Sequence, residues 1–238
     1  MKKINFENIN IFLISILPIS IIIGSTVSLI TVVLLSLSSI YLIVFGQDYR
    51  SVFLDKTIIL FFIVYFYLII NSFTSLDTET GLARNLGFVR FIFLFLIINY
   101  LLKTDENQKI IFKIWYVIIG IVVIDSFKEI ITGTNTLGYG GIYGNRILSF
   151  FKDEPVVAAF LNSFIFIISG YLLANFKHKN KYYKIGCIIS IILFIICVIF
   201  TGERSNTIKL LFGIILLFTI NNYFGVKIKL YSIIFLLF

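Results

Sequence analysis

The run INIFLISILPISIIIGSTVSLITVVLLSLSSIYLIVF, residues 9–45, decides the fold class of this chain. It contains no charged residue, and a helix needs only about 20 consecutive apolar residues to cross a bilayer. The run is therefore too long for one spanning helix and predicts two, joined by a hairpin at Gly24 and Ser25. Pro18 lies inside the first predicted helix, where a membrane helix tolerates it.

Apolar segments continue along the rest of the chain and predict further spans. Composition agrees, since 59% of the residues are hydrophobic and 13% are charged, whereas soluble domains are about a quarter charged. The sequence predicts an all-α, polytopic transmembrane helical bundle of eight full spans, with a partial ninth from Leu230. After the first two, the full spans are placed at residues 56–73, 86–102, 110–124, 155–176, 185–201 and 207–224.

The two ends of the chain bear on how complete this bundle is. The start, MKKINFENIN, precedes an apolar run as in a signal sequence. No A-x-A-type cleavage site follows, so we expect an uncleaved first helix. At the other end, the nine residues from Leu230 are too few to cross a bilayer. We expect residues 1–238 to form a single transmembrane domain that is the N-terminal part of a longer protein.

Charged and metal-binding residues exclude several kinds of function. The net charge of +8 does not indicate nucleic-acid binding, because the sequence offers no soluble basic face with aromatic platforms. No metal site or other cofactor is expected, because the single histidine, His178, has no nearby acid or second histidine. Cys187 and Cys197 are ten helical residues apart, about 15 Å, which is too far for a disulfide.

Positive charge is divided unequally between the two predicted faces of the membrane. With the N-terminus in the cytoplasm, the inner segments hold 11 Lys and 1 Arg, and the outer segments hold 2 Lys and 4 Arg. Cytoplasmic loops usually carry the excess of positive residues, so we predict a cytoplasmic N-terminus. Arginine, whose planar guanidinium binds phosphate through two hydrogen bonds, is thus concentrated on the predicted outer face: Arg84, Arg90, Arg146 and Arg204.

The longest predicted outer segment, residues 126–154, contains five glycines with Tyr139 and Tyr143 between them. Glycine lets the backbone approach a ligand closely, and tyrosine offers a flat face that can stack on a sugar. Tyr143 is therefore a candidate substrate-binding residue. A plain flexible loop is the alternative.

Charged residues close this segment, where Arg146 is followed by FKDEP at residues 151–155. Pro155 suits the first position of a helix, and Asp153 or Glu154 suits its cap. The functional interpretation is a charged cluster at the lipid–water boundary, with the Glu154 carboxylate directed into a cavity. The two interpretations are compatible.

A short turn, TGERSNT at residues 201–207, joins two strongly apolar spans. It holds Glu203 and Arg204 at or inside the headgroup region, where charges are costly and usually paired or functional. We take Glu203 as a candidate catalytic residue and Arg204 as a candidate substrate-binding residue. Mutual neutralisation of the two, or snorkelling, is the alternative.

Two further groups of charged residues have a simpler interpretation. Arg84 fits an interfacial anchor, while Arg90 fits an anchor and substrate binding equally well. Asp125, Lys128 and Glu129 follow the i, i+3, i+4 spacing, which is typical of a salt-laced helix end.

Two of these strings together resemble a known family. GNRILSFFKDEPVVAAFL, residues 144–161, resembles the segment that enters a middle helix of bacterial O-antigen polymerases and O-antigen ligases. TGERSNTIKLLFGI, residues 201–214, resembles the short turn that follows two spans later in that family. Order, spacing and predicted membrane side agree, and the resemblance covers residues 137–213.

The resemblance implies an integral membrane glycosyltransferase of the C-type class, which uses no metal. Such an enzyme acts in surface polysaccharide and lipopolysaccharide biosynthesis on the outer face of the bacterial inner membrane. It transfers a glycan from undecaprenyl pyrophosphate to the next lipid-linked repeat or to a lipid A core sugar. By resemblance Arg146 and Arg204 bind the pyrophosphate, and Glu154 either orients Arg204 or takes the proton of the acceptor hydroxyl.

The same resemblance implies parts that residues 1–238 do not contain. Family members have a second half with a large outer loop, and in ligases that half carries a histidine implicated in catalysis. His178 lies on the predicted inner face and cannot replace it. We therefore expect this chain to hold part of an active site.

Two other functions fit a polytopic membrane protein. A transporter or flippase for polysaccharide or lipid would place charges near the bilayer midplane, often on internal repeats. The predicted spans are nearly free of charge at their centres, and no repeat is visible. A non-catalytic assembly subunit would use its arginines only to bind headgroups of membrane lipids. Sugar, linkage, acceptor and oligomeric state are not indicated by the sequence.

Overall fold

A computed structural model describes residues 6–45, 56–141, 146–152, 154–175 and 180–220. Every regular element in these ranges is helical, so the all-α prediction is confirmed for them. Tyr143, Asp153, His178 and the predicted partial ninth span lie outside the described residues. The chain divides into two compact units, Met1–Ile114 and Trp115–Phe238. That residues 1–238 form a single domain stays a prediction.

Unit 1 contains the long apolar run of residues 9–45. The predicted break at Gly24 is confirmed, since this glycine has a φ of 146° between two helices. The prediction of one helix before it is wrong, because two short helices meet there at an angle of 48°. Pro18 explains the bend, since proline removes one helical donor and clashes with the carbonyl four residues earlier. The helices are α1 (Phe6–Ser15), α2 (Leu17–Ile23) and α3 (Ser25–Phe45).

Three more helices follow in the described residues of unit 1, and α7 (Asp105–Thr132) begins in it. Helix α3 packs against α6, and the Ser36 hydroxyl donates to the Arg90 carbonyl across this contact at 2.8 Å. Ile58 and Leu96 are fully buried in a cluster of aliphatic and aromatic side chains. The three helices are α4 (Lys56–Phe73), α5 (Thr78–Leu86) and α6 (Val89–Leu101).

The α5 corner, residues 72–87, begins earlier than the span predicted from residue 86. Asp77 caps α5 by accepting a hydrogen bond from the Thr80 amide at 3.2 Å. Hydrogen bonds from the Thr80 side chain and backbone lower the pKa of Asp77 below its ordinary value. Asn85 then ties α5 to α4 through the Leu68 carbonyl at 2.9 Å and the Ser72 hydroxyl at 2.6 Å. The predicted boundary was late because capping, rather than hydropathy, starts this helix.

Unit 2 contains most of α7 and the helices that follow it. Helix α7 has 28 residues and continues to Thr132, so the predicted span of residues 110–124 is too short. Helix α8 packs against α9, and α10 packs against both. Trp115 of α7 meets Phe164 of α8 edge to face, with ring centroids 5.1 Å apart. The later elements are a 3₁₀ turn (Ser149–Phe151), α8 (Val157–Ala174), α9 (Lys181–Phe200) and α10 (Arg204–Ile220).

The helices are those of a multi-pass membrane protein. Six in the described residues are long and apolar enough to cross a membrane, and the bent α1–α2 pair would make a seventh. One of the six, Thr78–Leu101, combines α5 and α6. The others are Ser25–Phe45, Lys56–Phe73, Asp105–Thr132, Val157–Ala174 and Lys181–Phe200. Helix α10 has 17 residues and is not among them. Eight full spans and a cytoplasmic N-terminus stay predictions. Cys187 and Cys197 of α9 are both buried, and they are free thiols, which agrees with the prediction that their spacing is too large for a disulfide.

Candidate functional site

One end of unit 2 brings together the two strings that carry Arg146 and Arg204. The Ile147 amide donates to the Thr201 carbonyl at 3.3 Å, which joins the segment before α8 to the α9–α10 turn. The Asn162 side chain on α8 donates to the Asn206 carbonyl on α10 at 2.8 Å. We call this region, residues 125–162 and 201–206 as far as they are described, the arginine end.

Buried acids on the last turns of α7 hold the loop that carries Arg146. Glu129, only 2% exposed, accepts hydrogen bonds from the Leu148 amide at 3.0 Å and the Ser149 amide at 2.6 Å. Asp125 accepts from the Ser149 hydroxyl at 2.7 Å. Ser149 has a φ of 46°, a conformation that residues other than glycine adopt rarely. Its hydrogen bonds to α7 hold it there.

Asp125 and one asparagine fix the described glycine-containing part of the loop. Asp125 accepts from the Thr136 amide at 2.9 Å and from the Thr136 hydroxyl. Asn135, 2% exposed, accepts from the Leu137 amide at 3.0 Å and the Tyr139 amide at 2.8 Å, and it donates to the Ser149 carbonyl. Residues 135–139 are thus fixed to α7 and to Ser149.

The interpretation of Asp125 and Glu129 as members of a salt-laced helix end is therefore wrong. Both carboxylates are buried and accept hydrogen bonds from loop amides and hydroxyls. A spacing of four residues places both acids on one face of α7, and this holds whether that face forms salt bridges in water or binds a loop. The sequence cannot reveal whether that face meets water or a loop. A helix face with two acids before a glycine-rich segment was the available signal.

Glu203 binds the start of α8 rather than its own neighbour in the chain. Its carboxylate accepts from the Ala158 amide at 3.0 Å and from the Asn206 side chain at 2.5 Å. An acid suits this place, because the first amides of a helix lack intrahelical acceptors and carry partial positive charge.

The predicted cap of α8 is correspondingly wrong in the described residues. The helix begins at Val157, two residues after Pro155, and Val156 at its cap makes no side-chain hydrogen bond. Glu154 is exposed and lies in a tight turn, in which its carbonyl accepts from the Val156 amide at 2.8 Å. Since that turn precedes the helix, the capping acceptor comes from Glu203, 45 residues away from Ala158.

The candidate substrate-binding arginines fall in two places. Arg146 and Arg204 are both exposed at the arginine end, and Arg204 is the first residue of α10. Arg90 belongs to unit 1, where its guanidinium lies 5.0 Å from the Phe91 ring centroid. The Arg90 Nε is buried without a hydrogen-bond partner among the described residues.

The arginine end presents groups whose chemistry suits anion binding and proton transfer. Arg146 and Arg204 present exposed guanidinium groups, which suit a phosphate. Each carboxylate oxygen of Glu203 already accepts a hydrogen bond, so this acid suits a positioning role. Glu154 is exposed, which leaves its carboxylate accessible to an acceptor hydroxyl. The geometry thus favours Glu154 over Glu203 for proton transfer.

No protein-family model, curated protein or solved structure matches this chain.

Proposed function

We propose that this chain is part of an integral membrane glycosyltransferase of the O-antigen polymerase or ligase kind. It would transfer a glycan from undecaprenyl pyrophosphate to a sugar hydroxyl at the outer face of the bacterial inner membrane. The supporting observation is the joining of the two arginine-bearing strings by the Ile147–Thr201 hydrogen bond of 3.3 Å. These strings are 54 residues apart at that bond, and they are the ones on which the family resemblance rests.

The chemistry requires cations beside the leaving group. The bond between the anomeric carbon and the pyrophosphate oxygen breaks, and a bond from that carbon to the acceptor oxygen forms. Undecaprenyl pyrophosphate leaves with the electron pair, and its new charge is stabilised by the guanidinium groups of Arg146 and Arg204. The acceptor hydroxyl loses its proton to Glu154, whose exposed carboxylate is a suitable general base.

The secondary structure around the two arginines suits that role. Arg204 is the first residue of α10, and a helix N-terminus carries partial positive charge that favours an anion. Arg146 directly precedes Ile147, whose amide is bound to the Thr201 carbonyl. Side chains attached to an anchored backbone lose less entropy when they bind a ligand.

The test is the length of surface glycan in cells that carry the complete protein with Arg146→Ala or Arg204→Ala. We expect long glycan to fall at least about 100-fold, because one lost donor to a developing oxyanion costs that much. Arg84→Ala is the matched control: Arg84 is exposed on α5 in unit 1, and its loss should leave glycan length unchanged. Protein level in the membrane is measured for all three variants.

Three outcomes would replace the proposal. Normal glycan length in both arginine variants would refute it. Full activity of Arg146→Lys and Arg204→Lys would favour an assembly subunit, because a point charge would then suffice. Accumulation of lipid-linked repeats on the cytoplasmic leaflet in the alanine variants would favour a flippase.

A further inference from the structure

We propose that Asp125 and Glu129 are positioning residues for the transfer reaction, which set the place of Arg146 by holding Ser149 against α7. The inference rests on the proposed function, because it assigns to Arg146 a role in binding the pyrophosphate. It adds two acids that neither the sequence motifs nor the family resemblance singled out for function.

Ser149 is held through every polar group it has. Its amide donates to Glu129 at 2.6 Å, its hydroxyl donates to Asp125 at 2.7 Å, and its carbonyl accepts from Asn135. The residue is fully buried, with a φ of 46°. Such a conformation persists only where the surroundings determine it, and it is found most often at functional sites.

Arg146 lies three residues before Ser149 and two before Leu148, whose amide also binds Glu129 at 3.0 Å. Between Arg146 and Leu148, the Ile147 amide is bound to the Thr201 carbonyl at 3.3 Å. The backbone next to Arg146 is thus connected both to α7 and to the turn that carries Arg204. A change at Glu129 is expected to displace Arg146 relative to Arg204.

The use of carboxylates at positions 125 and 129 indicates that the loop must be held in one fixed geometry. A buried carboxylate is costly, and two are used here where five donors converge: two amides on Glu129, and the amide and hydroxyl of Thr136 and the hydroxyl of Ser149 on Asp125. Both oxygens of an ionised carboxylate only accept hydrogen bonds. The amide group of glutamine would turn an NH₂ toward one of the two backbone N–H groups at Glu129.

The experiment is a double-mutant cycle with the complete protein in proteoliposomes. The donor is a synthetic undecaprenyl-pyrophosphate-linked repeat, and transfer is followed by gel mobility of the glycan. The variants are Glu129→Gln, Arg146→Ala and the combination. We expect Glu129→Gln to lower kcat/KM for the donor about 100-fold, the effect of a misplacement near 1 Å. The combined variant should be no slower than Arg146→Ala alone, because both changes remove one interaction.

Glu7→Gln is the matched control for the chemical change. Glu7 in unit 1 accepts a hydrogen bond from the Asn107 side chain at 2.9 Å, and Gln can accept the same bond. Its transfer rate should equal that of the wild type. Where Glu129→Gln does not accumulate in the membrane, Glu129→Asp takes its place, since it keeps the charge and shortens the side chain by one methylene.

The outcomes separate this inference from the proposed function. Wild-type transfer by Arg146→Ala would overturn both. Loss of transfer in Arg146→Ala, with wild-type kcat/KM in the Glu129 variant, would overturn the positioning role alone. Losses that multiply in the combined variant would also overturn it, because they would show that Glu129 acts on stability or on another part of the site.

Discussion

The arginine end of unit 2 and the α5 corner of unit 1 both use acids to bind backbone amides, but over very different distances along the chain. Asp77 is exposed and binds the amide of Thr80, three residues later. Glu129 is buried and binds amides 19 and 20 residues later, and Glu203 binds one 45 residues earlier. The first acid caps the start of its own helix, whereas the others determine where remote segments meet.

The comparison shows that the stability lost on removing an acid depends on whether its hydrogen bonds are buried or exposed. An exposed cap competes with water, so its net contribution is small. A buried carboxylate leaves its donors without any alternative partner when it is removed. The arginine end should therefore be far more sensitive to substitution than the α5 corner.

Among the stability predictions, Glu129→Ala is expected to lower the free energy of unfolding the most. Removing this carboxylate leaves the amides of Leu148 and Ser149 buried without acceptors, at a cost of about 1–3 kcal/mol for each. We expect the free energy of unfolding to fall by about 3 kcal/mol, measured by titration with sodium dodecyl sulfate in mixed micelles. A fall below about 0.5 kcal/mol, the usual range for surface substitutions, would show that water reaches these amides.

A smaller effect is expected from Glu203→Ala at the same end. The change removes the acceptor of the Ala158 amide at the start of α8, and lost helix caps cost about 1 kcal/mol. The same titration measures it. Glu203→Gln keeps one acceptor oxygen and should lose less than half as much. Equal losses in the two variants would mean that the charge of Glu203, and not its hydrogen bond, stabilises the helix start.

The smallest effect is expected from Asp77→Ala in the α5 corner, and it should depend on pH. The pKa of Asp77 is lowered from 3.8 by its hydrogen bonds with Thr80. A lowered pKa contributes stability that is present above the unfolded value and is lost as the pH falls through the folded value. The unfolding midpoints of wild type and Asp77→Ala should differ slightly at pH 7 and converge below 3.8. A difference that does not shrink as the pH falls below 3.8 would contradict a stabilising charge at Asp77.

Hydropathy predicted the helices of this chain better than it predicted their ends. Gly24 was found because a long apolar run must turn somewhere, and glycine is the residue that adopts a φ of 146°. The start of α5 and the last two turns of α7 were missed because they are polar. Their helical conformation depends on a cap at Asp77 and on partners of Asp125 and Glu129, which hydropathy does not report.

The sequence predicted only some residues of the candidate site, because residue type is visible in a sequence and burial is not. Arg146 and Arg204 stood out because arginine is rare in this chain and its chemistry is specific. Asp125, Glu129, Asn135 and Ser149 did not, since acids, amides and hydroxyls near a helix end usually face water. Only their burial distinguishes them, and burial is a property of the packed loop.

The sequence by itself determined that this protein is an all-helical, multi-pass membrane protein. Apolar runs of span length satisfy their backbone hydrogen bonds in a bilayer only as helices or closed barrels. The runs in this sequence lack the alternating apolar and polar pattern of a barrel strand. The tertiary structure alone decided which acid binds which amide at the arginine end. Those partners lie 11 to 45 residues apart, and no local pattern encodes a contact made only when helices pack. That pairing, set by burial and hydrogen-bond geometry, joins the segments that carry Arg146 and Arg204.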